Sequence, residues 1–336
     1  MKAIGYHQSL PIDDPASLQD LTLPDPVAGP RDLLVRVAAV SVNPVDTKVR
    51  RNAAPEAGQA RVLGWDAVGI VEAVGDRVTG FRVGDRVYYA GSIVRPGANS
   101  ELHAVDERIA ARAPASLDDA QAAALPLTSI TACELLFDRL GVARDGGAGQ
   151  TLLVVGGAGG VGSILIQLAR ELTQLRVVAT ASRPETRQWC LDLGAHAVID
   201  HSKPLAGELK AAGLGEVDLV ASLTQTQQHY AQIIESLKPQ GRIGVIDDMP
   251  VLDVMPLKTK CLSLHWELMF TRSRFETPDM AEQGRLLAEV AALVDAGRVR
   301  TTVGEHFGTI DAANLRRAHA FIESGKARGK VVLAGF

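Results

Sequence analysis

Residues 151–172 read TLLVVGGAGGVGSILIQLAREL, and this stretch decides the fold. Its first five residues predict an apolar strand, the next seven are rich in glycine, and the remainder carries apolar residues at helical spacing. A strand, glycine turn and helix in direct succession bring the N–H groups of a helix N-terminus to a phosphate. The sequence therefore predicts a dinucleotide-binding turn, with Gly157 permitting the tight turn. The predicted contacts are Gly157, Gly159, Gly160, Val161 and Gly162.

Composition narrows the class of protein. The chain has 336 residues, of which 46% are hydrophobic, and this length and composition predict two domains. Its formal net charge of −4 predicts no general attraction to nucleic acid or anionic membranes. The uncharged run at residues 152–169 approaches the length of a membrane span, but its glycines fit a turn better. Three widely separated cysteines and the lack of a recognisable leader predict a cytoplasmic protein.

The pattern of secondary structure changes along the chain. Before about residue 125, short β-like runs alternate with turns, and the phrase Val-Gly-Asp-Arg-Val occurs twice, at residues 74–78 and 83–87. From residue 151 strands and helices alternate, which implies crossover connections and a parallel sheet. We therefore predict an α/β protein. Its parts are a β domain over residues 1–125, a doubly wound parallel-sheet domain over 126–264, and a segment over 265–336 that returns to the first domain.

This organisation resembles the medium-chain dehydrogenase/reductase superfamily. Residues 41–47, the paired Gly-Asp-Arg-Val turns, residues 125–128, the glycine turn and the ending at 329–333 are similar to the zinc-independent quinone oxidoreductase branch that includes zeta-crystallin. They are also similar to bacterial proteins called zinc-type alcohol dehydrogenase-like. The resemblance implies a GroES-like first domain, a Rossmann second domain and a homodimer that acts on a small molecule.

The zinc ligands that such enzymes require are missing from the matching positions. The first thiolate position falls in residues 41–46, the Gly-His-Glu segment has become Gly64-Trp65-Asp66, and residues 124–127 contain no sulfur. Three cysteines cannot supply a four-cysteine structural site. We therefore expect no metal site. The alternative is a metal site of a different kind, formed by His103, His201, His229 and His265.

The missing ligands favour one kind of reaction. Oxidation of an unactivated alcohol normally needs a Lewis acid, whereas an electron-poor quinone or α,β-unsaturated carbonyl compound accepts hydride more readily. The sequence thus favours NADPH-dependent reduction of such a small molecule. Two alternatives stay open: a zinc-dependent alcohol dehydrogenase with atypical ligands, and an NADPH-binding structural or regulatory protein without efficient turnover.

The choice of NADP comes from the end of the second strand of the parallel sheet. An NAD site usually carries an acidic residue there, about 20 residues beyond the glycines. Here Ser182, Arg183 and Arg187 can meet a 2'-phosphate with hydrogen bonds and charge. Glu185 lies at a predicted helix start, where a carboxylate suits the helix dipole without any ligand.

Further cofactor contacts are implied by the resemblance alone. It places Asn43 and Thr128 near the nicotinamide and His201 beside the adenosine. It also places three residues at the nicotinamide or the cleft: Ile246, Asp248 and Lys330. Asn43 could instead be a turn residue, Thr128 a helix cap, His201 an exposed loop residue and Lys330 a strand-edge lysine.

The proton donor is the open part of the predicted site. Many quinone oxidoreductases carry a Tyr two residues after the Asp that matches Asp46, but this chain has Lys48. Lys48 could contact a phosphate, orient a substrate oxygen or donate a proton if it were desolvated, and an exposed lysine is the alternative. Tyr88 and Tyr89 are other hydroxyl donors, while Asp46 is expected to orient its neighbours. We predict Asn43, Lys48 and Thr128 as the catalytic residues.

Overall fold

The chain forms two units, and each unit is built on one large β-sheet. A computed structural model describes residues 1–336, and unit 1 comprises Met1–Ile130 with Phe270–Phe336, while unit 2 comprises Thr131–Met269. The divisions predicted from the sequence lie five residues before those of the structure at both ends of the inserted unit, at 125/126 and 264/265.

The elements are numbered in chain order. The strands are β1 (Lys2–Tyr6), β2 (Gln19–Thr22), β3 (Asp32–Val42), β4 (Arg61–Val62), β5 (Ala67–Val74), β6 (Arg86–Tyr89), β7 (Leu102–Asp106), β8 (Ala110–Arg112), β9 (Thr151–Val155), β10 (Arg176–Thr180), β11 (Ala197–Ile199), β12 (Val217–Ser222), β13 (Leu237–Val245), β14 (Ser263–Trp266), β15 (Val303–His306) and β16 (Lys330–Ala334). The α-helices are α1 (Pro44–Asn52), α2 (Asp119–Ala123), α3 (Pro126–Cys133), α4 (Gly160–Leu172), α5 (Pro184–Asp192), α6 (Leu205–Ala211), α7 (Thr226–Ser236), α8 (Phe270–Phe275), α9 (Glu282–Asp295) and α10 (Ala312–Glu323). A π-helix, Glu134–Arg139, continues α3.

Unit 1 is built on a seven-stranded sheet. The strand order is β15-β16-β3-β5-β6-β8, with β7 also paired to β3, and a three-stranded sheet of order β2-β1-β4 accompanies it. Most apolar side chains of β3 are buried, as expected for a strand at the centre of a sheet. Because β16 pairs with β3 in antiparallel register, Val331 beside Val42, the last strand of the chain lies next to the segment that begins α1.

Unit 2 contains a six-stranded parallel sheet of order β11-β10-β9-β12-β13-β14. Numbered within the unit, this is the Rossmann order 3-2-1-4-5-6, and its direction reverses between β9 and β12. The central strand β9 is buried at every position, which matches its continuous apolar sequence. The predicted α/β fold with a doubly wound parallel sheet is confirmed.

One helical stretch, Asp119–Arg139, is long and apolar enough to cross a membrane. In its most apolar window 83% of the residues are buried inside the fold. A core helix has the same composition, so burial accounts for this segment.

Candidate functional site

The glycine turn lies at the carboxyl end of β9, where the strand order reverses. Gly156 follows the strand with a left-handed φ of +86°, and α4 begins at Gly160 with Gly159 as its N-cap. The first N–H groups of α4 have no partner within the helix and carry the positive end of its dipole. This geometry places an anion-binding helix terminus where Rossmann folds bind their ligands.

Close packing explains two of the glycines. A Cβ on Gly162 would lie 2.5 Å from the carbonyl oxygen of Gly156, and a Cβ on Gly157 would lie 2.7 Å from the Cβ of Ala179 on β10. The sequence predicts the tight turn at Gly157, but the residue with left-handed backbone is Gly156. A Cβ on Gly159 would meet only the Gly156 carbonyl oxygen, at 3.5 Å. The space beside Gly159 is therefore open to a pyrophosphate.

The end of β10 carries the predicted determinants of cofactor choice. Ser182 and Arg183 are exposed, and the Arg183 Nε lies 3.3 Å from a carboxylate oxygen of Glu185. Arg187 points back into the unit, where its guanidinium donates to the carbonyl oxygens of Val198, at 2.8 Å, and Ala181, at 3.4 Å. Arg187 thus links the end of β10 to β11 by hydrogen bonds. Of the three predicted residues, only Ser182 and Arg183 then have exposed side chains that can contact a 2'-phosphate at this edge of the sheet.

His201 follows β11 and is linked to the glycine turn. Its Nδ1 lies 3.2 Å from the Thr180 hydroxyl, and that hydroxyl accepts a hydrogen bond of 3.0 Å from the N–H of Gly156. The His201 ring also packs edge-on to His229, with 6.1 Å between centroids. Burial, and then the proximity of His201, lower the pKa of His229. The structure thus brings His201 to the same edge of the sheet as the turn.

Ile246 and Asp248 lie just beyond β13, at the same edge. Ile246 is half-buried and its N–H donates to the carbonyl oxygen of Ser222 at 3.3 Å, while Asp248 is exposed. Sequence reasoning missed Asp247 between them, whose carboxylate accepts from both the N–H, at 2.9 Å, and the hydroxyl of Thr226. An aspartate that caps the start of a helix distant in sequence leaves no local signal.

In unit 1, Asp46 fixes the start of α1. One carboxylate oxygen accepts from the N–H of Asn43 at 2.8 Å, and the other accepts from the N–H of Gly64 at 3.0 Å. Burial raises the pKa of Asp46 to about 7, opposed by these bonds and by Lys330. Asp46 therefore orients its neighbours, the role that the sequence suggested.

A buried network joins Asn43, Asp66 and Lys330. The Lys330 Nζ donates to Asp66 Oδ2 at 2.9 Å and to Asn43 Oδ1, and the Asn43 Nδ2 donates to Asp66 Oδ2 at 2.8 Å. The other Asp66 oxygen accepts from the N–H of Leu127 at 2.7 Å. Only 3% of the Lys330 side chain and none of the Asp66 side chain is exposed. Lys330 is thus an interior cation rather than a strand-edge lysine, and both ends of the Asn43 amide are bound within unit 1.

The remaining predicted residues of unit 1 differ in burial. Thr128 is buried on α3 and its hydroxyl donates to the carbonyl oxygen of Leu125 at 3.2 Å, while Lys48 is half-buried on α1. The Tyr88 hydroxyl donates to the carbonyl oxygen of Leu287 at 2.5 Å. The Tyr89 hydroxyl lies 3.1 Å from the Nδ1 of His103, and burial raises the pKa of Tyr89. Both tyrosines face the interior.

The positions that match zinc ligands do not fit a zinc site. Residues 41–46, in which the first thiolate position falls, contain no cysteine, and their Asn43 is bound to Lys330 and Asp66. Trp65 stands at the histidine position, is buried, and donates from Nε1 to the carbonyl oxygen of Ser92 at 3.2 Å. In residues 1–336, no group of three or more His, Cys, Asp or Glu side chains is placed to hold a metal ion.

Comparisons with known proteins point to one family. Residues 29–115 match the alcohol dehydrogenase GroES-like domain, and residues 193–333 match the zinc-binding dehydrogenase family. The chain is 37% identical over 336 residues to a zinc-type alcohol dehydrogenase-like protein of Staphylococcus epidermidis, covering 99% of both chains. It is 31% identical over 312 residues to a quinone oxidoreductase of Pseudomonas aeruginosa, covering 91% of both.

Solved structures agree over nearly the full length. A Rhizobium etli protein described as a candidate zinc-dependent alcohol dehydrogenase superposes with a TM-score of 0.96 at 58% identity, covering 100% of this chain and 98% of that one. A mycobacterial protein whose structure contains NADPH superposes with a TM-score of 0.84 at 29% identity, covering 99% of this chain and 100% of that one.

Proposed function

Because the chain belongs to the medium-chain dehydrogenase/reductase superfamily, in its quinone oxidoreductase-like branch, we propose that it is an NADPH-dependent reductase of quinones or α,β-unsaturated carbonyl compounds. The superfamily makes it an oxidoreductase. The cofactor, the substrate class and the lack of catalytic zinc are proposals that go beyond membership of the superfamily. They are supported by residues of this chain.

The glycine turn and the end of β10 support NADPH. Gly159 leaves room for a pyrophosphate beside the N-terminus of α4, and Ser182 and Arg183 stand where a 2'-phosphate would arrive. When bound, NADPH supplies the hydride. The mycobacterial structure that holds NADPH has a similar fold, which agrees with this choice.

The observation that carries the zinc-independent proposal is the bonding of Asn43. In the segment where a zinc enzyme would carry its first thiolate, residues 41–46, this chain has an amide that binds the Lys330 ammonium and the Asp66 carboxylate. An ammonium at this place disfavours a divalent cation by charge repulsion. We propose that this network positions the start of α1, and that Lys48 and Thr128 shape the substrate end of unit 1.

The activity is tested with purified protein, NADPH or NADH, and a panel of quinones, enones, enals and simple aldehydes, with and without a chelator. We expect oxidation of NADPH by quinones or enones that the chelator does not change. Stoichiometric zinc lost together with activity would establish the alcohol dehydrogenase alternative. Tight NADPH binding with no reduction of any acceptor would establish the structural or regulatory alternative.

Replacing Arg183 by Gln is expected to weaken NADPH binding by about 10-fold or more, because a charge-assisted hydrogen bond contributes roughly 1.5–3 kcal/mol. The dissociation constant for NADH is expected to stay unchanged, since NADH has no 2'-phosphate. Fluorescence titration with both cofactors measures the two constants. The matched control is Glu185→Gln, which removes the carboxylate 3.3 Å from Arg183 and is expected not to weaken NADPH binding. An equal loss of affinity for NADPH and NADH would show that Arg183 does not bind the 2'-phosphate.

We also propose a homodimer formed through β14. This strand lies at the edge of the six-stranded sheet, so one row of its backbone groups has no partner strand within the chain. Trp266 at its end and Leu268 just beyond are each 50% exposed. An edge with exposed apolar side chains suits pairing with a second copy.

A further inference from the structure

A line of side-chain contacts follows the carboxyl edge of the parallel sheet in unit 2. The Thr180 hydroxyl, at the end of β10, accepts a hydrogen bond of 3.0 Å from the N–H of Gly156 and lies 3.2 Å from the Nδ1 of His201. The rings of His201 and His229 pack edge-on, with 6.1 Å between their centroids and 69° between their planes. Residues from β10, α7 and the segment after β11 are thus linked to the first residue of the glycine turn.

The bonds of Thr180 determine which nitrogen of His201 carries a proton. A hydroxyl group has one hydrogen to donate and two lone pairs that accept. If Nδ1 were protonated, the Thr180 hydroxyl would accept from both Gly156 and His201, and its own hydrogen would have no acceptor. Thr180 is 1% exposed and its hydroxyl has no further hydrogen bond in residues 1–336. A buried donor left without a partner is costly, so this arrangement is disfavoured.

The opposite arrangement satisfies every group. Thr180 donates its hydrogen to the Nδ1 of His201, which is then unprotonated, and the proton of the neutral imidazole is on Nε2. The His201 ring is half-buried, and its bond to Thr180 is its only hydrogen bond in residues 1–336. His201 therefore presents, on the side of the ring away from Thr180, an N–H donor that has no partner in the chain.

His229 is held in place by the start of α7. Asp247, beyond β13, accepts from the N–H of Thr226 at 2.9 Å and from the Thr226 hydroxyl. Thr226 and His229 are three residues apart, so they lie on one face of the helix. His229 is 3% exposed and its buried Nδ1 has no partner, so it contributes a ring contact rather than a hydrogen bond through that atom. This contact limits the rotation of His201 away from Thr180.

The free donor of His201 suits the adenosine end of the proposed cofactor. Ser182 and Arg183, where the 2'-phosphate would bind, follow Thr180 by two and three residues. β11, which precedes His201, is the strand next to β10. Phosphate oxygens, ribose oxygens and the ring nitrogens of adenine all accept hydrogen bonds, and a neutral imidazole with its proton on Nε2 can donate to any of them.

We propose that Thr180 and His229 are positioning residues, which fix His201 as a neutral imidazole with its Nε2–H directed at the adenosine end of the cofactor. Thr180 sets the tautomer and His229 sets the orientation of the ring. The contact with the cofactor rests on the proposed function, whereas the tautomer in the cofactor-free protein does not.

The tautomer is tested by NMR of the cofactor-free full chain with ¹⁵N-labelled histidine, because protonated and unprotonated ring nitrogens have different chemical shifts. The His201 signals are assigned by their loss in His201→Gln. At mildly alkaline pH we expect a protonated Nε2 and an unprotonated Nδ1 in the wild type and in Thr180→Ser, which keeps the hydroxyl. Thr180→Val is expected to show both tautomers. A proton on Nδ1 in the wild type would overturn the proposal.

The role of Thr180 in binding is tested by fluorescence titration with NADPH, which needs no turnover. We expect Thr180→Val to weaken binding by about 2-fold to 10-fold, the net value of one hydrogen bond, and Thr180→Ser to restore it. Thr180→Val also removes the acceptor of the Gly156 N–H, so the substitution is repeated in His201→Gln. If Thr180 acts through His201, its effect shrinks in that background. An undiminished effect would contradict this role.

The role of His229 is tested by two substitutions. His229→Phe keeps an aromatic ring against His201 and is expected to bind NADPH as the wild type does, whereas His229→Ala is expected to weaken binding. Chemical unfolding of both variants without cofactor measures any general loss of stability. Reduced stability of His229→Ala with unchanged NADPH affinity would overturn the positioning role.

Parallel titrations with NADH locate the acceptor of the His201 donor. A loss in Thr180→Val that is confined to NADPH supports a contact with the 2'-phosphate, and an equal loss for both cofactors supports one with the ribose or adenine. If the wild type binds neither cofactor, the proposed function and the cofactor contact both fail, while the tautomer is still decided by the NMR spectrum.

Discussion

Replacing Gly162 by Ala is expected to abolish tight NADPH binding and to destabilise unit 2. The new Cβ would lie 2.5 Å and 2.6 Å from the carbonyl oxygens of Gly156 and Gly157, closer than real contacts allow. Both oxygens belong to the backbone, so relief requires the turn to move. Overpacking of this kind costs about 1–3 kcal/mol of folding free energy. We expect NADPH affinity to fall by roughly 100-fold or more, because a turn displaced by about 1 Å no longer presents its N–H groups to the pyrophosphate.

Gly159→Ala is the matched control for Gly162→Ala. Its Cβ would meet only the Gly156 carbonyl oxygen at an ordinary 3.5 Å, so the stability of the protein without cofactor is expected to be kept. The methyl group would nevertheless stand where the pyrophosphate approaches, so NADPH binding is expected to weaken. Chemical unfolding without cofactor and fluorescence titration with NADPH separate the two effects. Wild-type affinity in Gly162→Ala would show that NADPH does not bind at this turn.

Replacing Lys330 by Met is expected to lower the free energy of unfolding by about 3–5 kcal/mol, the usual cost of leaving one partner of a buried ion pair alone. The substitution keeps most of the side-chain volume but removes the ammonium from Asp66 and Asn43. Burial already raises the pKa of Asp66, and Lys330 opposes that shift. Without Lys330 the folded pKa rises further, so the stability tied to Asp66 is lost as pH rises from the unfolded value of 3.8. The cost should therefore be smaller in mild acid than at neutral pH.

The control for Lys330→Met is the double variant Lys330→Met with Asp66→Asn. The double variant has no unpaired charge. We expect it to regain part of the stability that Lys330→Met loses, and to show none of the extra pH dependence of that variant. Denaturant unfolding of the wild type and both variants at two pH values measures these differences. A cost below about 1 kcal/mol that does not change with pH would show that the pair contributes little.

Residues that act within a short stretch were predictable from the sequence. The strand, glycine turn and helix of residues 151–172 follow from apolar spacing and glycine positions, which depend on local backbone geometry. The alternation of strands and helices can also be recognised from local patterns, and it predicted the parallel sheet. Family motifs added the GroES-like domain, whose match was confirmed. The predicted roles of Asn43, Lys48 and Thr128 stay predictions.

Bonds between distant residues were decided only by the tertiary structure. Lys330 reaches Asp66 across 264 positions of the chain, and Arg139 reaches Glu267 across 128. The sequence predicts that Arg187 meets a phosphate, but in the structure its guanidinium donates to the carbonyl oxygens of Ala181 and Val198. A sequence determines which side chains are charged and which segments become strands and helices. Burial determines which charges must find a partner, and burial exists only once the sheets have formed.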